Sequence, residues 1–551
     1  MSQNESPVER IKKASHGLRG TLKESLKDEH TGAIREDDQS LIKFHGMYMQ
    51  DDRDRREERA AKKLERLFSF MIRLRLPGGF LTAEQWETLH QVTDEHTTGV
   101  IKITTRQTVQ LHGILKSHIK PTIAAFNKQK LDSIAACGDV NRNVVAGAHP
   151  KYSPLHEEVF HFAETISAYM LPKTRAYYEV WLDEEKLVEV TEEDPLYENR
   201  YLPRKFKIAI AIPPYNDVDV FTNDVGLIAI IEKDKLVGFN IAAGGGLGAT
   251  HGNPDTYPRL GNILGYVSKE DALKTIYEIA TVQRDNGNRS DRKLSRLKYT
   301  IERMGLDVFK AEVEKRAGLN FAPARKYEFT HRHDEYGWHQ NHEGLWYYTA
   351  FIENGRVRDD EDVQYKTAFL EIAKARKANF RFTCNQNLII SDINEEDKAY
   401  VENVLQQYRV IETTDKASPV RRNAVACVAF NTCPLALAEA QRYLPSLITK
   451  IEDVLGKHKL EQEGISIRMT GCPNGCARPY IAEIGFVGTN YGRYNMHLGA
   501  DVIGTRLNKL YKENLDEAQI LAELDTLFSD FSAKRKKKES FGDFVVRQGI
   551  V

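Results

Sequence analysis

The chain has 551 residues, with 78 Lys+Arg against 79 Asp+Glu and a formal net charge of -1. That balance excludes a dedicated nucleic-acid binder, which carries a clear basic excess, so any cationic site must be local. The hydrophobic fraction of 41% supports a sizeable core, and no apolar run of about 18 residues is present to cross a membrane.

Met1 to Gly20 lack the apolar centre of a secretory signal, so a cytoplasmic protein is expected. Residues 1–65 are polar and charge-rich, and Asp51–Arg59 mixes signs as a solvated helix face does, so an exposed arm is expected there. Phe68–Leu76 is apolar, with Arg73 and Arg75 interleaved, and stops at Pro77-Gly78-Gly79. It reads as a strand running into a turn. Thr82–His96 carries helix signals: Thr82 as N-cap, Glu84 in the first turn, and Trp86, Leu89 and Val92 at helical spacing. Val100–Leu115 alternates and reads as a strand. So does the stretch from Lys205 to Ile212, which would put Lys205 and Lys207 on one face, about 6.6 Å apart.

Three segments recur in order. Lys102–Ile114 lies on Arg381–Ile393 at an offset of 279, and Val140–Gly147 on Val420–Cys427 at 280. Asn223–Gly226 lies on Ala482–Gly485 at 259. An internal duplication of roughly 250 residues follows, with extra length in the first copy. The duplication locates the chemistry, because Cys427 stands where the first copy has Gly147, and Cys472 and Cys476 fall on Pro213 and Asp217. One copy has thiols at these positions and the other does not, which points to a ligand site near the seam.

Four of the six cysteines form two close pairs, Cys427-x5-Cys433 and Cys472-Pro-Asn-Gly-Cys476, whereas Cys137 and Cys384 have no partner at such spacing and read as core. Four thiolates can hold a [4Fe–4S] cube or a zinc ion. The five-residue gap exceeds the usual two to four of structural zinc sites and suits the larger object. Gly471, Pro473 and Gly475 favour a tight loop that directs backbone N–H groups at sulfur.

With Thr470-Gly471-Cys472-Pro473-Asn474-Gly475-Cys476, these spacings resemble the signature of the sulfite and nitrite reductases that carry sirohaem and a [4Fe–4S] cluster. The resemblance extends along the chain through Phe44–Met47, Arg75–Gly79, Thr105–Thr108, Asn141–Asn143, Tyr201–Lys207, Gly244–Gly246 and Phe541–Phe544. It implies that Cys427, Cys433, Cys472 and Cys476 bind the cluster, with Cys476 also the axial ligand of the sirohaem iron and Asn474 within the cofactor loop. It further implies that Arg73, Arg142, Lys205 and Lys207 bind the anionic substrate. Lys102, Arg106, Gln110, His112 and Arg204 would hold sirohaem carboxylates, with Arg289 and Lys298 as further candidates. Arg422 matches Arg142 in the second copy, but Ser466 stands at Lys207, so the basic pocket belongs mainly to the first copy.

Gly244, Gly246 and Ala249 fit a loose dinucleotide fingerprint, but the turn-forming His251-Gly-Asn-Pro254 follows where a helix is required. NADPH binding by this chain is therefore not expected. The resemblance implies an assimilatory sulfite reductase hemoprotein that takes electrons from an NADPH-dependent flavoprotein in a hetero-oligomer, with no nucleic acid or membrane involved. The alternatives are a ferredoxin-dependent sulfite or nitrite reductase, and a non-enzymatic iron–sulfur or zinc protein, which would not need the basic set. The expected fold is α+β, internally duplicated, with mixed sheet and helix subdomains in a pseudo-twofold arrangement around a central sirohaem–[4Fe–4S] site. The expected units are a charged arm (1–65), a first ferredoxin-like half-domain (66–136) and a first sirohaem-binding repeat with the basic residues (137–325). A second half-domain (326–410) and a second repeat carrying the cysteines (411–551) follow.

Overall fold

The computed structural model describes residues 5–149, 154–184 and 194–551. The first half contributes β1 (Met47–Asp51), β2 (Phe68–Arg73), β3 (Phe80–Leu81), β4 (Ile101–Ile103) and β5 (Val109–Ile114). It continues with β6 (Val145–Ala146), β7 (Ile208–Ala211), β8 (Val225–Glu232), β9 (Lys235–Ala243) and β10 (Asn262–Ser268). The second half contributes β11 (Gly337–Gln340), β12 (Trp346–Ala350), β13 (Arg356–Val357), β14 (Asn379–Phe382) and β15 (Leu388–Ile393). Then come β16 (Ala424–Ala426), β17 (Ile467–Thr470), β18 (Ile484–Asn490), β19 (Arg493–Leu498) and β20 (Lys509–Leu515). They build four five-stranded sheets, ordered β1-β2-β5-β4-β13, β11-β12-β15-β14-β3, β10-β9-β8-β7-β6 and β16-β17-β18-β19-β20.

The duplication is written into the strand registers. Lys102 faces Gln110 across β4 and β5, and Arg381 faces Ile389 across β14 and β15. Val145 pairs with Ala209 as Val425 pairs with Arg468, and Ile208 with Val225 as Ile467 with Ile484. Each corresponding pair keeps the offset read from the sequence. A side chain at Gly226 would meet the Val220 carbonyl at 2.6 Å, and one at Gly485 the Pro479 carbonyl at 2.3 Å, so both copies need glycine at the same close approach.

The halves also exchange structure. The short β3 of the first half completes the sheet of β14, and the short β13 of the second completes the sheet of β4. Trp86 follows the same path. Its helix, Ala83–His96, is capped by a reciprocal Thr82–Gln85 box, and its indole lies 4.4 Å from the Phe380 ring and 5.6 Å from Phe369, both in the other half. Burying such a ring against aromatic residues of the other half ties the two half-domains into one core, while the cysteine-bearing repeat has a core of its own.

Three expectations change. Val100–Leu115 is a hairpin rather than one strand. Gln107 adopts φ 50°, and the chain turns between Thr104 and Thr108 without a glycine to mark it. The strand after Lys205 begins only at Ile208, with Phe206 in an isolated bridge to Asn141. The first 65 residues are not wholly an exposed arm. Leu18, Leu22, Leu41, Ile42 and Phe44 are buried, and β1 joins the first sheet. A charge-rich average hides apolar residues that are spaced to pack. The stretch around the helix Arg56–Ala61, which buries nothing, is solvated as expected.

Candidate functional site

The cysteine loops are built at the ends of β16 and β17. Beyond β16, the backbone N–H of Gln441 donates to the Cys427 carbonyl, and those of Leu437 and Ala438 donate to the Gly471 carbonyl, clasping the two loops together. A side chain at Gly471 would meet the Ala438 carbonyl at 2.5 Å, which explains the glycine. All four thiols lie within electrostatic reach of one another, and none is in a disulfide. Gly471 N donates to Cys427 Sγ at 3.4 Å, and Asn474 Nδ2 to Cys472 Sγ at 3.5 Å.

Burial and mutual repulsion push Cys433 up to about 12, and raise Cys427 and Cys472 as well. Four thiolates at this spot therefore require bound positive charge. Among the described residues, no three His, Cys, Asp or Glu side chains converge closely enough to hold a single metal ion. The four thiols are gathered at one spot with N–H donors on two of the sulfurs, a donor set that an iron–sulfur cube takes.

The basic residues converge from the first half. Arg73 leaves the end of β2, and its Nη1 approaches the Ala136 carbonyl and Cys137 Sγ, at 3.3 and 2.9 Å. Arg142 Nη1 donates to the same carbonyl at 3.3 Å, so one backbone oxygen holds both guanidiniums side by side. Lys205 and Lys207 are enclosed by protein yet remain partly accessible. Burial lowers both lysines well below the usual range, with Arg204 and Arg296 adding to the effect at Lys205, and Lys205 and Arg106 at Lys207. Among the described residues, neither ammonium has a hydrogen-bond or salt-bridge partner. The nearby carboxylates are committed: Asp224 to Arg296 at 2.9 Å and to Lys207 N, Asp139 to Arg292 at 2.7 Å. The result is a positive field without local compensation, which is what an anionic ligand meets and neutralises.

The second copy shows how the pocket was lost there. Glu483 accepts from Ser466 N at 2.9 Å, as Asp224 accepts from Lys207 N at 2.9 Å. The acid and its backbone bond are retained, but the cation has become a short hydroxyl.

The two sets meet. Cys476 is within electrostatic reach of Arg73, Lys205 and Lys207, and Thr105 Oγ1 donates to its carbonyl at 3.0 Å. Cys476 is exposed while its neighbours Gly475 and Ala477 are buried, so its side chain is left accessible beside those cations.

The remaining candidates separate into two groups. Arg106 Nη1 donates to Asn223 Oδ1 at 2.8 Å, and its Nε, buried, has no partner. Arg204 lies beside Lys205. Gln110 stands opposite both Arg73 and Lys102 in the sheet. Lys102 and His112 lie towards the cysteine loops. Lys102 Nζ donates to the Asn354 carbonyl near Cys427, and burial brings its pKa down to about 7. His112 Nδ1 is 3.0 Å from Gln50 Oε1 and 3.3 Å from Thr432 Oγ1. Burial, with Arg73 and Lys102 adding to it, holds that imidazole down to about 3, so it is neutral at physiological pH.

Lys298 and Arg289 serve the scaffold. Lys298 Nζ donates to the Gly246 and Gly248 carbonyls at 3.0 and 2.9 Å, fixing the glycine loop against the cysteines, where Ala249 N reaches the Pro473 carbonyl at 2.9 Å. No helix follows that loop before Lys269, so it lacks the helix N-terminus of a dinucleotide site. Arg289 Nη1 pairs with Glu9 at 2.5 Å, away from the pocket. Sequence reasoning missed Arg296 and Tyr48, which border Lys205 and Arg73, and read Cys137 only as core although its sulfur touches Arg73. No local spacing marks any of the three.

Comparison with known proteins gives the family. The Nitrite and sulphite reductase 4Fe-4S domain matches residues 163–321, and the Nitrite/Sulfite reductase ferredoxin-like half domain matches residues 66–129 and 339–408. The Sulfite reductase [NADPH] hemoprotein beta-component of Leptospira biflexa is 65% identical over 551 residues, covering 100% of this chain and 99% of that one. The chain belongs to the nitrite and sulfite reductase family. The protein of the same description from Anoxybacillus flavithermus is 51% identical over 99% of this chain and 96% of its own. The structure of Mycobacterium tuberculosis NirA shares the fold, with a TM-score of 0.81 at 24% identity over 99% of this chain and 97% of that one. The family's cofactors, sirohaem and a [4Fe–4S] cluster, fit what is present: four gathered thiols with N–H donors on sulfur, beside cations without local counter-charge. Among the described residues no helix is long and apolar enough to cross a membrane.

Proposed function

We propose that this chain is the hemoprotein subunit of an NADPH-dependent sulfite reductase, which reduces sulfite to sulfide with six electrons supplied by a flavoprotein partner in a hetero-oligomer. The observation that carries the reading is the meeting of Cys476 from one half with Lys205, Lys207 and Arg73 from the other. A purely structural thiolate site has no use for those cations. When bound, the cofactors would supply the electron path and the iron for sulfite, with Cys476 among the residues that would hold them.

The chain's own residues do the rest. Arg73 and Arg142, aligned by the Ala136 carbonyl, receive the sulfite oxygens as paired donors. Lys205 and Lys207 add charge and protons. An ammonium destabilised by burial and by neighbouring cations is a stronger acid than usual, and gives up its proton more readily as each oxygen leaves as water. Arg106 and Arg204, with Lys102, Gln110 and His112 behind them, line the ground from which sirohaem carboxylates are held.

The test is direct. Purified protein should show both haem and iron–sulfur absorption and reduce sulfite when supplied with NADPH and the flavoprotein. A colourless, zinc-containing preparation would sink the reading, and preference for ferredoxin or for nitrite would move it to the related reductases. Lys207→Met should keep both absorption bands yet lower kcat/KM for sulfite about 100-fold, because one donor to developing charge is gone. Unchanged steady-state kinetics in that variant would remove Lys207 from the pocket.

A further inference from the structure

Leu435 and Tyr491, 64% and 80% exposed, are the two most exposed large apolar side chains among the described residues, and both belong to the cysteine-loop region. The Tyr491 ring stacks on Phe430 at 6.3 Å, and the Arg53 guanidinium lies 4.3 Å from the Phe430 centroid. Arg53 Nη1 in turn donates to the carbonyls of Cys433 and Ala436 at 3.2 and 2.9 Å. Cys433 is followed directly by exposed Pro434 and Leu435, so one cysteine loop reaches the outer surface at an apolar patch. Cys476, at the other side of the set, faces the cation pocket. Exposed apolar clusters of this kind mark places where another protein sits.

We propose that the Phe430–Leu435–Tyr491 face is the docking surface for the electron donor, an acidic flavoprotein whose reduced flavin gives up one electron at a time to the cluster held by Cys433. The proposal rests on the functional reading above. Each transfer oxidises the flavin by one electron and reduces the cluster by one, with no bond made or broken. Three observations select this occupant. The activity consumes electrons that this chain has no dinucleotide fold to collect. The patch is backed by a cluster ligand. Arg53, packed on Phe430, opens the segment 53–66, which carries seven basic and four acidic residues. A negatively charged rim around the donor's flavin complements that border and speeds encounter.

Leu435→Asp and Tyr491→Ala test the apolar centre, and the double variant Lys62→Glu/Lys63→Glu tests the border. Two readouts are needed: stopped-flow reduction of the cofactors by the NADPH-reduced flavoprotein, and hydrogen exchange of residues 428–437 with and without that flavoprotein. In the native protein, adding the flavoprotein should slow exchange there. Leu435→Asp and Tyr491→Ala should each abolish that protection and slow cofactor reduction about tenfold, as loss of an interface anchor does. Sulfite reduction driven by reduced methyl viologen, a small dye that needs no docking, should stay unchanged. The double lysine variant should slow reduction most at low salt. Unaltered protection and unaltered electron transfer in both apolar variants would overturn the proposal, as would an equal loss with viologen, or reduction by ferredoxin in place of the flavoprotein. A native protein that reduces no sulfite with viologen would instead overturn the functional reading.

Discussion

Cys476→Ser is expected to lower sulfite turnover by at least ~100-fold, beyond the loss seen for changes that only support a metal ligand. Cys476 is the exposed cysteine of the four, within electrostatic reach of Arg73, Lys205 and Lys207. On the proposed reading it would be the ligand that the cluster and the haem share. Serine keeps the size but presents a harder oxygen that ionises far less readily, and iron–sulfur centres select soft thiolate. Iron and acid-labile sulfide content and the haem band, measured beside turnover with reduced viologen, separate loss of the cluster from loss of coupling. Cys384→Ala is the control, since that thiol is buried in the seam and burial raises it to about 12. Full activity in Cys476→Ser would refute the shared-ligand role.

Asp219→Asn is expected to destabilise the fold by about 3–5 kcal/mol, the range for breaking a buried ion pair by removing one partner. Asp219 receives Arg332 Nε at 2.6 Å, Arg468 Nη1 at 2.8 Å and Arg478 Nη1 at 2.9 Å, and all four side chains are buried or nearly so. Asp219 and Arg478 are equivalent positions of the two copies, both in left-handed backbone, φ 49° and 60°, so the ion pair crosses the pseudo-twofold axis. Removing the carboxylate leaves three guanidiniums facing one another in the core. Arg332 Nη2, Arg468 Nε and Arg478 Nε already lack partners there.

The pH dependence follows from the sign of the shift. The three guanidiniums hold Asp219 far below the ordinary carboxylate range against the opposing effect of burial. Its contribution is thus fully present above about pH 4, the unfolded value, and is lost only as pH falls through the depressed folded value. The guanidinium chloride midpoint should drop in Asp219→Asn at pH 7, and the gap to the native protein should persist at pH 5. A midpoint within error of the native one would show that the cluster is held by other contacts.

Much of this was legible in the sequence for definite reasons. The offsets of 279, 280 and 259 survive because a register slip would turn a buried strand face outward, so paired strands such as β7 and β17 keep their pattern even where side chains diverge. The four cysteines were legible because thiolates at two close spacings, with glycines in the loop, have few other uses. Lys205 and Lys207 could be placed on one face by alternation alone, although the strand itself starts three residues after Lys205.

What the tertiary structure decided is everything that depends on closing one copy against the other. The exchange of β3 and β13, the contact of Trp86 with Phe380, and the three arginines on Asp219 join residues that no local period relates. The turn at Gln107 was hidden because a non-glycine residue accepts left-handed backbone when tertiary contacts hold it; its amide bonds Ala146 on both sides. The sequence by itself determined which chemistry the chain could carry and that it is built twice. The fold decided that the thiols of one copy and the cations of the other meet, because a pseudo-twofold closure brings the strand ends of both copies to the same place.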